Sequence, residues 1–560
     1  MPMPNQTATP VPLLVVDALK VSFAQTGSNV EAVKNISFQV NTGEILALVG
    51  ESGSGKSVTA RTLTGLAGPH AQVQARALSL TGHDGRTIDL RQLSNSDWQQ
   101  IRGKEIGFVL QDALVSLDPL RTIGSEVAEP MHIHRTYPPG EILAQVESLL
   151  LQVGIADPLN RMSQRPHELS GGLRQRALIA SAIAAGPKLL IADEPTTALD
   201  VTIQQRILQV FRLLAQAGHG VLLITHDLSV VAQVADRVVV MQNGEAVETG
   251  TTAQVLAAPE HPYTRRLLAA IPGAHTRGRW LAGAPPLVET PLTAQQHSRQ
   301  ASRLYQGLAL DVQEVSVAFR RPDGSRHQAL DRVSLQLAWG ETLGLVGESG
   351  SGKTTLGKVV LALQAAQQGL VLLAGQPWSE LREGQRRLLR GRIQTITQDP
   401  LGSFDPRYRV EQIIEQPLKL NGSLSAAERR TKMASLLQLV GLHSNLLQRR
   451  PQALSGGQRQ RVAIAQALAC DPDILICDEP VSALDVTTQA QVLDLLIALQ
   501  HKLGLTMLFI SHDLGVVQHM SHRIAVMQGG QIVESGPTAQ IVSAPQHAYT
   551  QQLLSAVGMA

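Results

Sequence analysis

Two kinds of apolar spacing alternate along this chain. Short uninterrupted runs such as ILALVG (45–50), KLLIAD (188–193) and VLLIT (221–225) are rich in Leu, Ile and Val and stop at turn residues. Apolar runs of this length predict strands buried on both faces of a mainly parallel sheet. Longer stretches of helical character, for example LRQRALIASAIAAG (173–186), follow them. Strands and helices in alternation predict a layered α/β domain.

The whole pattern is written twice. GEILALVGESGSGKS (43–57) returns as GETLGLVGESGSGKT (340–354), and LSGGLRQRALIASAIAAGPKLLIADEPTTALD returns as LSGGQRQRVAIAQALACDPDILICDEPVSALD. The copies are offset by 297 residues at Gly50 and Gly347 and by 285 at Asp193 and Asp478. A period of this size marks a duplicated domain and not a solenoid unit. The length of 560 residues, too long for one hydrophobic core, agrees. Between the copies, AHTRGRWLAGAPPLVETPLTAQQHSRQ has no apolar periodicity and reads as a linker or a loosely packed tail. The expected division is a first module over 13–260, a tail and linker over 261–308, a second module over 309–544 and a C-terminal tail over 545–560.

Each module begins with a glycine-rich loop between a predicted strand and a predicted helix: Gly50, Ser52, Gly53, Gly55, Lys56 and Ser57, then Gly347, Ser349, Gly350, Gly352, Lys353 and Thr354. Glycines let consecutive N–H groups curl around phosphates, the helix N-terminus adds positive potential, the Lys reaches the terminal phosphates, and the hydroxyl can hold Mg²⁺. One such loop can arise by chance; two in equivalent positions leave that reading little room. A later apolar strand ends in Asp193-Glu194, and its repeat in Asp478-Glu479. An Asp there can hold Mg²⁺, and the adjacent Glu can orient and deprotonate the water that attacks a γ-phosphate. His226 and His512 follow the next strand in each copy. A lone strand-end His is more often structural, but the recurrence one strand after each carboxylate pair favours a phosphate-sensing role.

Ser170-Gly171-Gly172 and Ser455-Gly456-Gly457 stand between these two motifs, each opening a helix with N–H groups that can meet an anion. In that place LSGG resembles the signature motif of the ABC ATPases, and each half carries the family's motifs in full order. The resemblance implies two P-loop NTPase (ABC) cassettes, each with a mainly parallel sheet core and a helical subdomain, that bind ATP with Mg²⁺. It assigns phosphate binding to Lys56 and Lys353, and metal contacts to Ser57, Thr354, Asp193 and Asp478. Gln111 and Gln398 resemble the Q-loop glutamines that touch metal and attacking water. Asp200 and Asp485 resemble D-loop residues. Phe23 and Phe319 are placed to stack on adenine, although a packing role in the core fits them nearly as well. Family members pair head to tail, which implies intramolecular pairing here: Lys56 with Ser455 and Gly457, and Lys353 with Ser170 and Gly172. The first half departs from the pattern at Leu173, where the second has Gln458, and at Ala113, where the second has Pro400. Because Leu173 leaves the Ser-Gly-Gly backbone intact, the expected result is a modest asymmetry between the sites.

Two further segments narrow the branch. VSLDP (115–119) and GSFDP (402–406) follow the Q-loops, and HPYTRRLL (261–268) and HAYTQQLL (547–554) close the modules. Both resemble the ATPases of dipeptide, oligopeptide and nickel uptake systems, some of which, such as glutathione and microcin C importers, use fused ATPases. That implies two integral membrane permease subunits and a periplasmic or extracellular solute-binding protein as partners, and a peripheral position on the cytoplasmic face of the inner membrane. A nickel-chelate importer is the alternative. A soluble translation-linked ABC protein fits less well, because its class joins the cassettes by a long charged helical linker. DNA repair would call for zinc cysteines.

Composition narrows the partners further. Aromatics make up only 3% and the net charge is +2, so neither a stacking platform nor a basic stripe for nucleic acid is expected. The two cysteines, Cys470 and Cys477, match no metal spacing and read as buried thiols in a reducing compartment. MPMPNQTATPVP has neither a basic start nor an apolar core, and no apolar stretch approaches the roughly 20 residues of a membrane span.

Overall fold

In the computed structural model, residues 12–25, 28–111, 116–196, 199, 201–284, 307–320, 326–420 and 424–556 are described. The chain divides into two compact units, Met1–Leu268 and Ala269–Ala560.

In the first unit the apolar runs lie side by side. Strands Ile106–Val109, Leu189–Asp193, Gly220–Thr225, Ile45–Val49 and Arg237–Gln242 are neighbours in that order and all parallel. Every residue of Ile45–Val49, Leu189–Asp193 and Gly220–Thr225 is buried, which is why these segments carry no polar alternation. Glu245–Thr251 adds antiparallel and leads to the long antiparallel pair Pro12–Gln25 and Ser28–Asn41. Helices Ile123–His134, Ile142–Gln152 and Gly171–Ile183 form a separate helical layer whose apolar faces meet around Val127, Val146 and Ile179.

The second unit repeats the plan. Ile393–Ile396, Ile474–Asp478, Thr506–Ser511, Thr342–Val346 and Arg523–Gln528 are parallel neighbours, with Gln531–Pro537 antiparallel at the edge. Leu308–Arg320 pairs with Arg326–Ala338 and Gln368–Leu373 in a separate three-stranded antiparallel sheet. Parallel strands place their C-terminal ends along one edge, where open α/β sheets bind ligands. The glycine-rich loops, the Asp-Glu pairs and the two histidines all follow such ends. Cys477 is fully enclosed and burial pushes its thiol up to about 12, whereas Cys470 is only half-buried.

The segment after the first tail departs from the expectation of a loose linker. Ala269–Leu281 belongs to the second unit, where Ala270, Thr276 and Leu281 are buried. The Asp494 carboxylate accepts the N–H groups of Leu281 (3.0 Å) and Ala282 (2.8 Å), and Thr276 Oγ1 lies 3.0 Å from His519 Nδ1. Polar anchors replace apolar periodicity in this strap, so hydrophobic spacing carried no sign of it.

Candidate active site

Each glycine-rich loop is shaped by its own backbone limits. Gly55 and Gly352 cap the following helices, Lys56–Leu63 and Lys353–Val360, at φ 101° and 105°, a left-handed conformation that side chains resist. A Cβ on Gly50 would stand 2.2 Å from the Met241 carbonyl oxygen, and one on Gly347 2.1 Å from that of Met527. Lys56 Nζ donates to the carbonyls of Gly50 and Glu51, both at 2.7 Å, and Lys353 Nζ to those of Gly347 (2.7 Å) and Glu348 (2.8 Å). Both ammonium groups are thereby held inside the loop.

The acidic pair meets the loop from the next strand but one, across Gly220–Thr225 in the first unit and Thr506–Ser511 in the second. Ser57 Oγ donates to Asp193 Oδ1 at 3.1 Å, and Thr354 Oγ1 to Asp478 Oδ1 at 3.4 Å. Burial raises the Asp193 pKa to about 6, against the hydrogen bond from Ser57, and burial also raises that of Asp478. Glu194 and Glu479 sit at φ 49° and 48°, which costs a non-glycine residue about 1–3 kcal/mol and is typical of working sites. Their backbone N–H groups bond Ile224 and Ile510, each at 2.9 Å, and fix the turn. Gln111 Nε2 donates to Glu194 Oε2 (3.0 Å) and Gln398 Nε2 to Glu479 Oε2 (2.9 Å). His226 Nδ1 lies 3.2 Å from Glu194 Oε1, and His512 Nδ1 3.1 Å from Glu479 Oε1. Burial opposes the imidazolium form of both histidines, but the bond and charge of the glutamate outweigh it and raise their pKa values. For Glu479 burial works upward, and His512 together with Lys353 brings the carboxyl below its usual range.

Each glutamate is thus clamped by an amide on one oxygen and an imidazole on the other, with one strand between its own and the strand that feeds the glycine-rich loop. Within each unit the structure brings together the P-loop Lys, the hydroxyl, the Asp-Glu pair, the Gln and the His.

Ser170 caps the helix Gly171–Ile183 by accepting from Leu173 N at 3.4 Å. Ser455 does the same with Gln458 N at 3.3 Å, and there Gln458 Oε1 also accepts from Ser455 N at 3.1 Å. Leu173 cannot return that bond, which is the physical content of the departure noted at this position. A Cβ on Gly172 would come within 2.7 Å of Ile203, and one on Gly457 within 2.3 Å of Thr488. Asp485 caps Val486–Leu503 through Thr488 N at 3.0 Å; Asp200 and Ala113 lie outside the described residues. Phe23 is half-buried against the core of the first unit, while Phe319 is 41% exposed.

A family model described as ABC transporter matches residues 33–197 and 330–482. The chain belongs to the ABC transporter ATPases. A second model, the C-terminal region of oligopeptide/dipeptide transporters, matches residues 247–296 and 533–559 of this ABC ATPase. Curated relatives include the glutathione import ATP-binding proteins GsiA of Salmonella choleraesuis (strain SC-B67) and Escherichia coli (strain K12). Each is 43% identical over 98% of this chain and 90% of its own length. Among solved structures, the dimeric bacterial ABC transporter cassette MJ0796 is 28% identical, covering 41% of this chain and 98% of its own, with a TM-score of 0.38.

One pair of site residues of this ABC ATPase escaped the sequence reading. Tyr263 and Tyr549, the tyrosines of HPYT and HAYT, are buried and accept hydrogen bonds through Oη from P-loop amides: Glu51 N at 3.0 Å and Glu348 N at 2.9 Å. Their helices are set in the same way twice. His261 Nδ1 and His547 Nδ1 each accept from the tyrosine N–H at 3.2 Å, and Glu248 and Glu534 accept the N–H groups just before. The repeat of Glu and His at a spacing of 13 residues was visible; the partner loop, 212 and 201 residues away, was not. Tyr263→Phe with Tyr549→Phe removes the acceptors of two loop amides. A neutral hydrogen bond nets about 0.5–1.5 kcal/mol, so KM for ATP should rise roughly 2–10-fold. Steady-state hydrolysis together with a melting curve checks this; a lowered melting temperature at unchanged KM would make the tyrosines structural only.

Proposed function

We propose that this chain is the ATP-hydrolysing subunit of an importer for peptides or peptide-like solutes of the glutathione type. Two permease subunits hold it at the cytoplasmic face of the inner membrane, and a solute-binding protein delivers the cargo. The observation that carries this reading is the meeting, in each unit, of the glycine-rich loop's Lys and hydroxyl with an Asp-Glu pair, a Gln and a His, the loop being tied through a tyrosine to an oligopeptide-type tail. Full-length similarity to the glutathione import ATP-binding proteins supports the cargo class. Among the described residues no helix is long and apolar enough to cross a membrane, in keeping with a role beside separate permeases.

The chemistry follows from the side chains. Lys56 and Lys353 exchange their carbonyl partners for phosphate oxygens, and the loop N–H groups and helix N-termini bind the rest of the triphosphate. Ser57, Asp193 and Gln111, with Thr354, Asp478 and Gln398, form hard oxygen donor sets that suit Mg²⁺. Held there, the ion would supply positive charge to offset that of the phosphates. Glu194 and Glu479 take the proton of the attacking water, oriented by Gln111 and Gln398. His226 and His512, kept protonatable by those carboxylates, reach the γ-phosphate and report its departure. Tethering brings two cassettes together at roughly millimolar effective concentration, so hydrolysis per chain should not depend on dilution.

Uptake of labelled dipeptides, glutathione and nickel, compared in cells with and without the protein, tests the cargo. Loss of dipeptide or glutathione uptake is the expected result. A change confined to nickel, or to sugars and amino acids, would overturn the peptide class.

A further inference from the structure

The strap Ala269–Leu281 does more than fill a groove on the second unit. Between it and the cassette lies a cavity of about 270 Å³. Arg277 and Arg279 of the strap, with His501, His519 and His522 of the cassette, line it, and Trp280, Met507 and Met520 supply an apolar wall. Among the described residues no carboxylate lines it. Two nearby acids are already engaged: Asp494 with the strap's backbone N–H groups, and Glu341 with Arg523 at 3.4 Å.

His519 is 3% exposed; its Nδ1 faces Thr276, and its Nε2 is buried with no hydrogen-bond partner among the described residues. A buried polar atom without a partner costs about 1–3 kcal/mol, and a native fold rarely leaves one without a reason. His522 Nδ1 accepts from Thr342 N at 3.0 Å, which leaves Nε2 as its donor. Burial, with the charge of Arg277 adding to it, holds both imidazoles below their ordinary range, as expected in a cavity of uncompensated positive potential. The first cassette has nothing of the kind: in the repeat, Gln233 and Asp236 stand where the second carries His519 and His522.

We propose that this cavity is a binding site for a small molecule that joins one anionic group, a carboxylate or phosphate, to a compact apolar body. The anion sits between the two arginines and the free imidazole nitrogens, and the apolar body rests on Trp280 and the methionines. The site is separate from ATP. Thr342 begins the strand whose far end feeds Gly347, about 15 Å away at the usual rise per residue. It is nevertheless connected to catalysis, because His519 closes the helix Leu514–Met520 that starts two residues after His512. A ligand that draws His519 toward itself pulls on the helix carrying that histidine loop.

Titration calorimetry on the full chain saturated with a non-hydrolysable ATP analogue tests the proposal, with hippurate as the carboxylate probe and phenyl phosphate as the phosphate probe. Saturable binding of either is expected, and which one binds identifies the anion class. Arg277→Ala with Arg279→Ala should weaken it roughly tenfold for each charge-assisted hydrogen bond lost. Both arginines are exposed, so the fold should hold; Lys at both positions should restore part of the affinity. Binding of neither probe, or equal affinity in the alanine variant, would overturn the site.

Discussion

A chain carrying Glu194→Gln and Glu479→Gln is expected to bind two ATP molecules and to hydrolyse them about 10²–10⁴ more slowly, the usual cost of removing a positioned base. The substitution keeps size and shape, and its carbonyl can still accept from Gln111 or Gln398. What disappears is the proton acceptor, and with it the charge that holds His226 and His512 protonatable. The P-loop lysines and the Ser57–Asp193 and Thr354–Asp478 contacts are untouched, so nucleotide affinity should survive. Steady-state hydrolysis measured beside nucleotide occupancy separates the two effects. Near-normal turnover would falsify the assignment of the general base.

Lys56→Ala with Lys353→Ala should fail in the opposite order. Each ammonium bonds two loop carbonyls and is only 5% exposed. On the proposed mechanism, removing it deletes the strongest donor to the triphosphate. Loss of charge-assisted hydrogen bonds of this kind weakens binding by roughly 10²-fold or more. Equilibrium titration with a fluorescent ATP analogue reads this directly. Unchanged affinity with lost turnover would make the lysines catalytic only, and the contrast with the glutamine variants would vanish.

What could be read in advance was whatever one strand and the turn after it contain. Gly50–Ser57, Asp193-Glu194 and His226 each follow an apolar run, and parallel pairing alone carries those strand ends to one edge. The clamp on each glutamate was half legible: residue types and order pointed to Gln111 and His226, but only the fold shows that they take opposite oxygens of one carboxylate. The left-handed backbone at Glu194 and Glu479 carries no sequence mark, since glycine would normally stand there. Tyr263 and Tyr549 looked like tail residues because hydrogen bonds across some 200 positions leave no periodicity. The strap was misjudged for the same reason. It is held by Asp494, Thr276 and His519, and polar anchoring does not repeat every second or fourth residue.

That strap also sets an order of events during synthesis. Leu281 leaves the ribosome 213 residues before Asp494, its partner. At the usual 5–20 residues per second the strap waits roughly 10–40 s with nowhere to dock. The first cassette, whose tail tyrosine and P-loop are by then complete, has all of its strands made before those of the second begin to emerge. The second cannot finish until Asp494 emerges and takes the strap's N–H groups. In a chain that carries one plan twice, the first copy is complete in sequence while the second still waits for the residue that anchors its own leading segment.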